Sequence, residues 1–482
     1  MSSKFSYTFL IKLSAMVVGF FISIYIVKAL PVEQYGVYSL LSSIISLAVM
    51  IFTFNIQELL FIKLTNEKNN DKIIKIISTT NTSVLFIYSI LLILILYTPI
   101  QDILLELFNI KDNRIAFTYT VYYILFYSLV LTFMRYLMFS SQPIKYSIYD
   151  LLIAILWVIP FLFFGIISVE DIMKYKMISI SFLAVTLFYL FYKRFHKISL
   201  FIKFDFLYLK EALHFGLMTF LPSIAIYTLT VIDIFLLSYL DSNKSVALFS
   251  FANMPFNILT TLIASTLTLV LLPKINKYHK NRITRKYLLF SKIFELLIVI
   301  LLPITIFMVF YSKEIIAIMS KNDYLEVSQS YIVLSIILFL TTISNFLKQD
   351  LYLHKSYKKL FIVFLLALII NISVNYYLIP LYSYMGSIYS ILITFIYIFI
   401  SLLFYTKMYK KVYIRYKNLI LILSINIIFF ILLFCLNYIL NIYIKDFNIV
   451  NNIIKISFSS LILFSFYFYI NYKNKMLRAI KS

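Results

Sequence analysis

Long apolar runs alternate with short, charged polar breaks along the whole chain. Each run is close to the roughly 20 apolar residues that an α-helix needs to cross the hydrocarbon core of a bilayer. The pattern therefore predicts an all-α integral membrane protein with about fourteen transmembrane helices. The approximate bounds of these fourteen predicted spans are 9–30, 38–61, 78–99, 115–138, 146–168, 175–192, 212–239, 246–272, 288–311, 327–347, 360–380, 385–406, 418–440 and 452–472.

Two apolar pieces are too short to cross a bilayer. They lie around Ile103–Ile110 and Glu314–Ser320. A span needs about 20 residues, so we expect both pieces to lie at the membrane surface.

The distribution of basic residues predicts how the spans are oriented. With the N-terminus on one side, 32 of the 43 Lys and Arg residues fall on that side, 10 fall on the other, and Lys292 lies inside a span. Short cytoplasmic segments of membrane proteins carry the excess of Lys and Arg. We therefore expect both termini, and a basic C-terminal tail, in the cytoplasm.

The composition agrees with a membrane protein and excludes several other classes. Hydrophobic residues make up 62% of the chain and charged residues 13%, whereas soluble domains carry roughly 25% charged residues. Membrane topology and anionic lipids account for the net charge of +23, so no nucleic-acid partner is expected. A single cysteine and four scattered histidines predict neither a disulfide framework nor a metal site. The chain carries no P-loop motif, which favours a transporter without its own ATPase over an enzyme.

An internal repeat divides the predicted spans into two groups. The stretch Tyr35–Leu40 opens span 2, and the similar stretch Val246–Phe251 opens span 8, 211 residues later. This offset predicts two parallel lobes of six helices, a layout typical of transporters that bind substrate between lobes. The predicted divisions are residues 1–195 for the first lobe, 196–410 for the second, and 411–482 for spans 13 and 14 with the basic tail.

Charged side chains within the spans are the candidate functional residues. A charge inside a bilayer costs about 2.5–3.5 kcal/mol on insertion scales, so it is a functional candidate by default. These residues are Lys12, Glu58, Arg135, Asp150, Asp233, Lys292 and Glu295.

Each candidate also has a structural interpretation. The Lys and Arg side chains either reach the headgroups or line a cationic cavity that would neutralise a phosphate. Lys292 and Glu295 are three residues apart and could form an ion pair on one helix, and Asp150 could lie at the interface. Asp233 and Glu58 have short side chains that reach water poorly. We therefore expect the carboxylates, Asp233 and Glu58 before Asp150 and Glu295, to couple transport to H⁺ or Na⁺ or to bridge the lobes.

Three short motifs resemble those of a known family. Residues 24–40 read IYIVKALPVEQYGVYSL, residues 231–250 read VIDIFLLSYLDSNKSVALFS, and residues 384–390 read YMGSIYS. The first is similar to the pattern Arg-x-Leu-Gly-x-x-x-Tyr-Gly-x-Tyr-Ser of the polysaccharide biosynthesis (O-antigen) flippases. These proteins belong to the MATE-like multidrug/oligosaccharidyl-lipid/polysaccharide exporter superfamily. Lys28 replaces the Arg of that pattern, and Pro31 replaces its first Gly.

The resemblance implies a function and partners. It implies a MATE-like flippase that moves undecaprenyl-pyrophosphate-linked oligosaccharides across a bacterial cytoplasmic (inner) membrane by alternating access. Membrane lipids, and the polymerase and chain-length proteins of one pathway, are then the expected partners. No cofactor is expected beyond a coupling H⁺ or Na⁺. A cation-coupled drug or metabolite exporter and a lipid II flippase are the alternatives that share this topology.

Overall fold

The fold is a bundle of α-helices. The structure, a computed structural model, describes residues 3–53, 69–139, 143–165, 168–195, 205–281, 283–320, 322–354, 356–408, 416–443 and 448–473. These residues form 17 α-helices, two short 3₁₀ helices and no β-strand. The helices are α1 (Ser3–Ala29), α2 (Val32–Thr53), α3 (Asn70–Tyr97), α4 (Ile100–Leu107), α5 (Arg114–Phe139), α6 (Pro143–Ile155), α7 (Ile159–Phe164), α8 (Val169–Phe195), α9 (Phe206–Leu240), α10 (Asn243–Asn281), α11 (Ile283–Phe310), α12 (Ser312–Met319), α13 (Tyr331–Leu353), α14 (Tyr357–Tyr382), α15 (Tyr384–Thr406), α16 (Tyr416–Tyr443) and α17 (Ile449–Lys473).

Thirteen of the described helical segments are long and apolar enough to cross a membrane. They coincide with thirteen of the predicted spans. The share of residues buried inside the protein ranges from 11% in the first of these segments to 61% in the second. Much of the apolar surface therefore faces outward, as lipid-facing helices require, and the multi-pass all-α membrane fold is confirmed.

The fifth predicted span, 146–168, is divided into two helices. Residues 156–158 form a turn between α6 and α7, and Pro160 is the second residue of α7. A proline has no N–H to donate to the carbonyl four residues earlier, and its ring crowds that carbonyl. The first helix, α6, therefore ends at Ile155, and the chain becomes helical again at Ile159.

The two short apolar pieces are short helices. They form α4 and α12, which have eight residues each. Neither can span a bilayer, because eight helical residues rise only about 12 Å. Their position at the membrane surface stays a prediction.

The chain forms two compact units. Unit 1 contains residues 1–250 and 375–384, and unit 2 contains residues 251–374 and 385–482. Helix α9, the seventh predicted span, belongs to unit 1. The predicted lobe bounds, 1–195 and 196–410, with 411–482 as an appendix, stay a prediction.

Each unit has its own aromatic core. In unit 1, α5 packs along α8, and the ring of Phe191 lies 4.7 Å from that of Phe133 and 4.9 Å from that of Tyr136. In unit 2, the two C-terminal helices α16 and α17 pack on α11 and α12. There Tyr467 donates a hydrogen bond to the carbonyl of Val299 at 2.9 Å.

Asp205 fixes the start of α9. Its carboxylate accepts a hydrogen bond from the Tyr208 N–H at 3.0 Å and pairs with Lys75 at 3.1 Å. Its own N–H donates to Thr79 Oγ1 at 2.9 Å. The hydrogen bond from the Tyr208 N–H, and to a smaller extent the one from Lys75, holds the pKa of the Asp205 carboxyl below its ordinary value. The cap therefore ties the start of α9 to α3.

Candidate transport site

Asp233 is a buried carboxylate in the second half of α9. Its side chain is 2% exposed, and Asn375 Nδ2 donates a hydrogen bond to its Oδ1 at 2.8 Å. Asn375 lies on α14 and is also fully buried. Both residues belong to unit 1, although 142 positions separate them in sequence. A buried carboxylate can take up a proton, and its oxygens are hard ligands that suit a small metal cation.

Polar side chains join the ends of several unit 1 helices, about two turns beyond Asp233. Asn109 Nδ2 donates to the carbonyl of Ser238 at 3.0 Å, and Asn243 Nδ2 donates to the carbonyl of Asn109 at 2.9 Å. The Ser238 hydroxyl donates to the carbonyl of Phe108 at 2.7 Å. We call these bonds, together with those of Asp241, Ser245 and Ser383, the connection cluster.

Ser383 completes the connection cluster in a left-handed backbone conformation. It is the only residue between α14 and α15, and its φ is 53°. A non-glycine residue in this region costs about 1–3 kcal/mol. The Ser383 hydroxyl donates to Asp241 Oδ2 and lies 2.7 Å from the hydroxyl of Ser245. These bonds hold the strained turn against the short α9–α10 connection.

Gly36 allows α2 to touch the start of α10. A Cβ atom at Gly36 would lie 1.8 Å from the carbonyl oxygen of Asn243 and 3.3 Å from the backbone nitrogen of Ala247. Only a glycine therefore fits. Gly36 and Ala247 are also the positions paired by the 211-residue offset of the repeat, so the equivalent small residues of the two repeat motifs lie against each other.

Two of the predicted charged residues in unit 1 lie on neighbouring helices. Lys12 on α1 places its ammonium 5.2 Å from the centre of the Tyr146 ring on α6. Asp150, one turn further along α6, is exposed and interacts electrostatically with Lys12. Arg135 lies on α5, but its side chain is outside the described residues, as is the whole of Glu58.

The two predicted charged residues in unit 2 lie on α11. Lys292 is exposed. Glu295 is partly buried and accepts a hydrogen bond from Asn418 Nδ2 at 3.0 Å. The grouping of Lys12, Arg135 and Lys292 in one cationic cavity stays a prediction.

Unit 2 contains a buried ion pair that the predicted spans do not include. Lys286 Nζ donates to Asp350 Oδ1 at 2.8 Å, and the two side chains are 1% and 2% exposed. Both residues lie in polar breaks between the predicted spans, 273–287 and 348–359. Two signals could have found them: Lys286 shares a helical face with Phe290 and Ile293, and Asp350 is the only acidic residue in the basic segment 348–359.

Comparisons with known proteins agree with this architecture. The family model described as polysaccharide biosynthesis protein matches residues 2–279. A structure of the lipid II flippase MurJ in an inward closed conformation aligns with a TM-score of 0.73 and 19% identity, over 97% of this chain and 99% of that chain. No curated protein sequence matches the chain.

Multidrug transporters have a similar fold over less of the chain. An outward-facing MATE family transporter of the MOP superfamily aligns with a TM-score of 0.59 and 15% identity, over 84% of this chain and 94% of that chain. A MATE structure in complex with MaL6 aligns with a TM-score of 0.52, 15% identity and the same coverage. The chain therefore has the all-α membrane fold that MurJ and the MATE transporters share.

Proposed function

This chain belongs to the polysaccharide biosynthesis protein family, and we propose that it flips undecaprenyl-pyrophosphate-linked oligosaccharides across a bacterial cytoplasmic membrane. The family match over residues 2–279 carries the proposal. The flipped oligosaccharides would serve the synthesis of a surface polysaccharide such as O-antigen or capsule. The partners would be membrane lipids, the polymerase and the chain-length proteins. Both termini would lie in the cytoplasm, and the protein would have no ATPase of its own.

Deletion of the gene in the native host tests this function. We expect lipid-linked repeat units to accumulate on the cytoplasmic face and the surface polysaccharide to disappear. Both effects should be reversed by the wild-type gene on a plasmid. Normal surface polysaccharide in the deletion strain would contradict the proposal.

The second candidate is a lipid II flippase. The alignment with MurJ supports it, because that alignment covers 97% of this chain, whereas the alignment with the MATE transporter covers 84%. Deletion would then trap peptidoglycan precursors rather than polysaccharide repeat units, and growth would stop. A drug exporter would instead leave both glycans intact and change drug sensitivity.

We further propose that Asp233 couples transport to H⁺ or Na⁺. The proposal is supported by its burial in a membrane-spanning helix, where a carboxylate is costly unless it is paired or protonated. A bound proton or sodium ion would remove much of that cost. Binding and release of the cation would then change the free energy of the contact between Asp233 and Asn375, which both belong to unit 1.

Thermal unfolding of the purified protein tests the coupling role. We expect Na⁺ in place of choline, or a lower pH, to raise the unfolding temperature of the wild type, and Asp233→Asn to abolish that response. The control is Asp112→Asn, which removes an exposed carboxylate of the same unit. If Asp233→Asn keeps the full response to both cations, Asp233 has no coupling role.

A further inference from the structure

Lys176 is a cation in a membrane-spanning helix that the proposed function does not use. It lies seven residues into α8, and its Nζ donates a hydrogen bond to Tyr38 Oη at 2.9 Å. The ammonium is 4.5 Å from the centre of the Tyr38 ring and 4.8 Å from that of the Trp157 ring. Two aromatic rings and a phenol oxygen therefore hold the charge in place.

The broken span places Trp157 in this position. Trp157 lies in the turn that precedes Pro160, between α6 and α7, and is 8% exposed. An unbroken helix would have continued along one axis instead of turning at this residue. Trp157 is also the only tryptophan in the chain.

A small cavity opens beside this group. Lys176, Trp157, Tyr123 and Ser179 line it together with aliphatic side chains, and all of its lining residues belong to unit 1. Its empty volume is about 210 Å³ when the open mouth is included. The enclosed part holds only about one water-sized molecule. The cavity therefore suits one small polar group, with a larger body remaining in its mouth.

Lys176 has unused capacity to bind a negative charge. In the part of the chain that the structure describes, no carboxylate lies within 4.0 Å of its ammonium, and Tyr38 is its one hydrogen-bond acceptor. A lysine ammonium has three N–H donors. Two donors therefore remain for a ligand, in a membrane segment where an uncompensated charge is expensive.

We propose that this cavity is a subsite for the carboxylate of an acidic sugar in the transported glycan, an inference that rests on the proposed function. The carboxylate would enter the cavity and accept hydrogen bonds from Lys176, and Ser179 and Tyr123, which also line the cavity, would be the further donors. The sugar ring would stay at the mouth, beside the aromatic side chains.

A pyrophosphate fits this cavity less well than a carboxylate. It carries more than one negative charge and favours several basic groups, with Arg preferred for its paired donors. Among the described side chains that line the cavity, Lys176 is the one basic group. The match is therefore to a singly charged group.

The fluorescence of Trp157 measures binding directly, since it is the only tryptophan. The full chain, purified in detergent, is titrated with methyl glucuronide, methyl glucoside and inorganic pyrophosphate. We expect a saturable change with the glucuronide alone. Lys176→Met should weaken the affinity for the glucuronide about tenfold or more, which corresponds to about 1.4 kcal/mol of binding free energy. The control Lys174→Met changes an exposed lysine of the same helix and should bind like the wild type.

A second variant guards against misfolding of Lys176→Met. Ser179→Phe fills the cavity and leaves the lysine in place, so it should also weaken glucuronide binding. An equal response to the neutral glucoside, a response to pyrophosphate alone, or no saturable response would each overturn the proposal.

The binding result is separable from the test of function. Loss of surface polysaccharide on gene deletion without glucuronide binding would reject only the subsite. Glucuronide binding with normal surface polysaccharide in the deletion strain would keep the carboxylate site but reject the flippase function, and with it the transported glycan as the ligand.

Discussion

Gly36→Ala should separate α2 from the start of α10. The added Cβ would lie 1.8 Å from the Asn243 carbonyl oxygen and 2.7 Å from its carbonyl carbon, although real Cβ contacts essentially never fall under 3.0 Å. The two backbones must therefore move apart by about 1.2 Å, the difference between 1.8 and 3.0 Å. No side-chain rotation can relieve this overlap, because the atoms in contact are backbone.

The expected cost comes from overpacking and from a lost hydrogen bond. Overpacking a well-packed contact costs about 1–3 kcal/mol. The same shift lengthens the 2.9 Å bond from Asn243 to the Asn109 carbonyl, and a hydrogen bond contributes about 0.5–1.5 kcal/mol. For domains of 150–250 residues, each kcal/mol lowers the unfolding temperature by about 2–4 °C. We therefore expect a decrease of several degrees.

The control is Gly19→Ala, in the middle of α1. Apart from its two chain neighbours and the backbone of its own helix, no atom of the described residues lies within 4 Å of the Cβ that this change adds. Alanine is favoured over glycine inside a helix by about 0.5–1 kcal/mol, so this variant should be neutral or slightly stabilised.

Thermal unfolding of the purified variants is the primary measurement. Export in the deletion strain, normalised to the amount of each variant in the membrane, is the second. Gly36→Ala should lose both stability and export, and Gly19→Ala should keep both. An unfolding temperature for Gly36→Ala that equals the wild-type value would refute the close contact.

Three further predictions concern charged residues. Asp350→Ala should cost about 3–5 kcal/mol because it removes the carboxylate that pairs with the buried ammonium of Lys286, and Lys286→Met in the same chain should restore much of the unfolding temperature; wild-type stability of Asp350→Ala alone would contradict this. Asp205→Ala should cost about 0.5–2 kcal/mol through loss of the helix cap, whereas Asp205→Asn, which keeps an acceptor, should cost less. The pKa of Asp205 is lower in the folded protein than its ordinary value of 3.8. The ionised carboxylate therefore contributes fully to the free energy of unfolding above pH 3.8, and this contribution is lost as the pH falls through the folded pKa. Unfolding scans should show the wild type losing its higher stability relative to Asp205→Asn only in that acidic range. Lys12→Ala and Arg135→Ala should reduce export without lowering membrane abundance; unchanged export would reject the cationic cavity.

The sequence predicted the transmembrane helices because insertion into lipid is a local property. A run of about 20 apolar residues is favourable in the bilayer whatever the rest of the chain does. Thirteen predicted spans and the two short helices α4 and α12 accordingly appear in the structure. The break in the remaining span also had a local cause, Pro160, which the count of apolar residues passed over.

Contacts between distant residues could not be predicted in this way. Asp233 stood out because its charge lies in an apolar run, but nothing near it in sequence indicated Asn375 on α14. Lys286 and Asp350 looked like residues of polar loops, and Lys176 looked like a charge at the start of a span. Their burial depends on how each helix is rotated about its axis, and a span's hydrophobicity is nearly the same for every rotation.

The sequence by itself therefore determined that the chain is a multi-pass helical membrane protein, where its helices lie and which small residues repeat. The tertiary structure decided which charges are paired, that Gly36 must touch the backbone of Asn243, and that Lys176 and Trp157 share a cavity. Lipid accepts any apolar face, so hydrophobicity fixes that a helix spans the membrane. Only close packing against neighbouring helices fixes which face each helix turns inward.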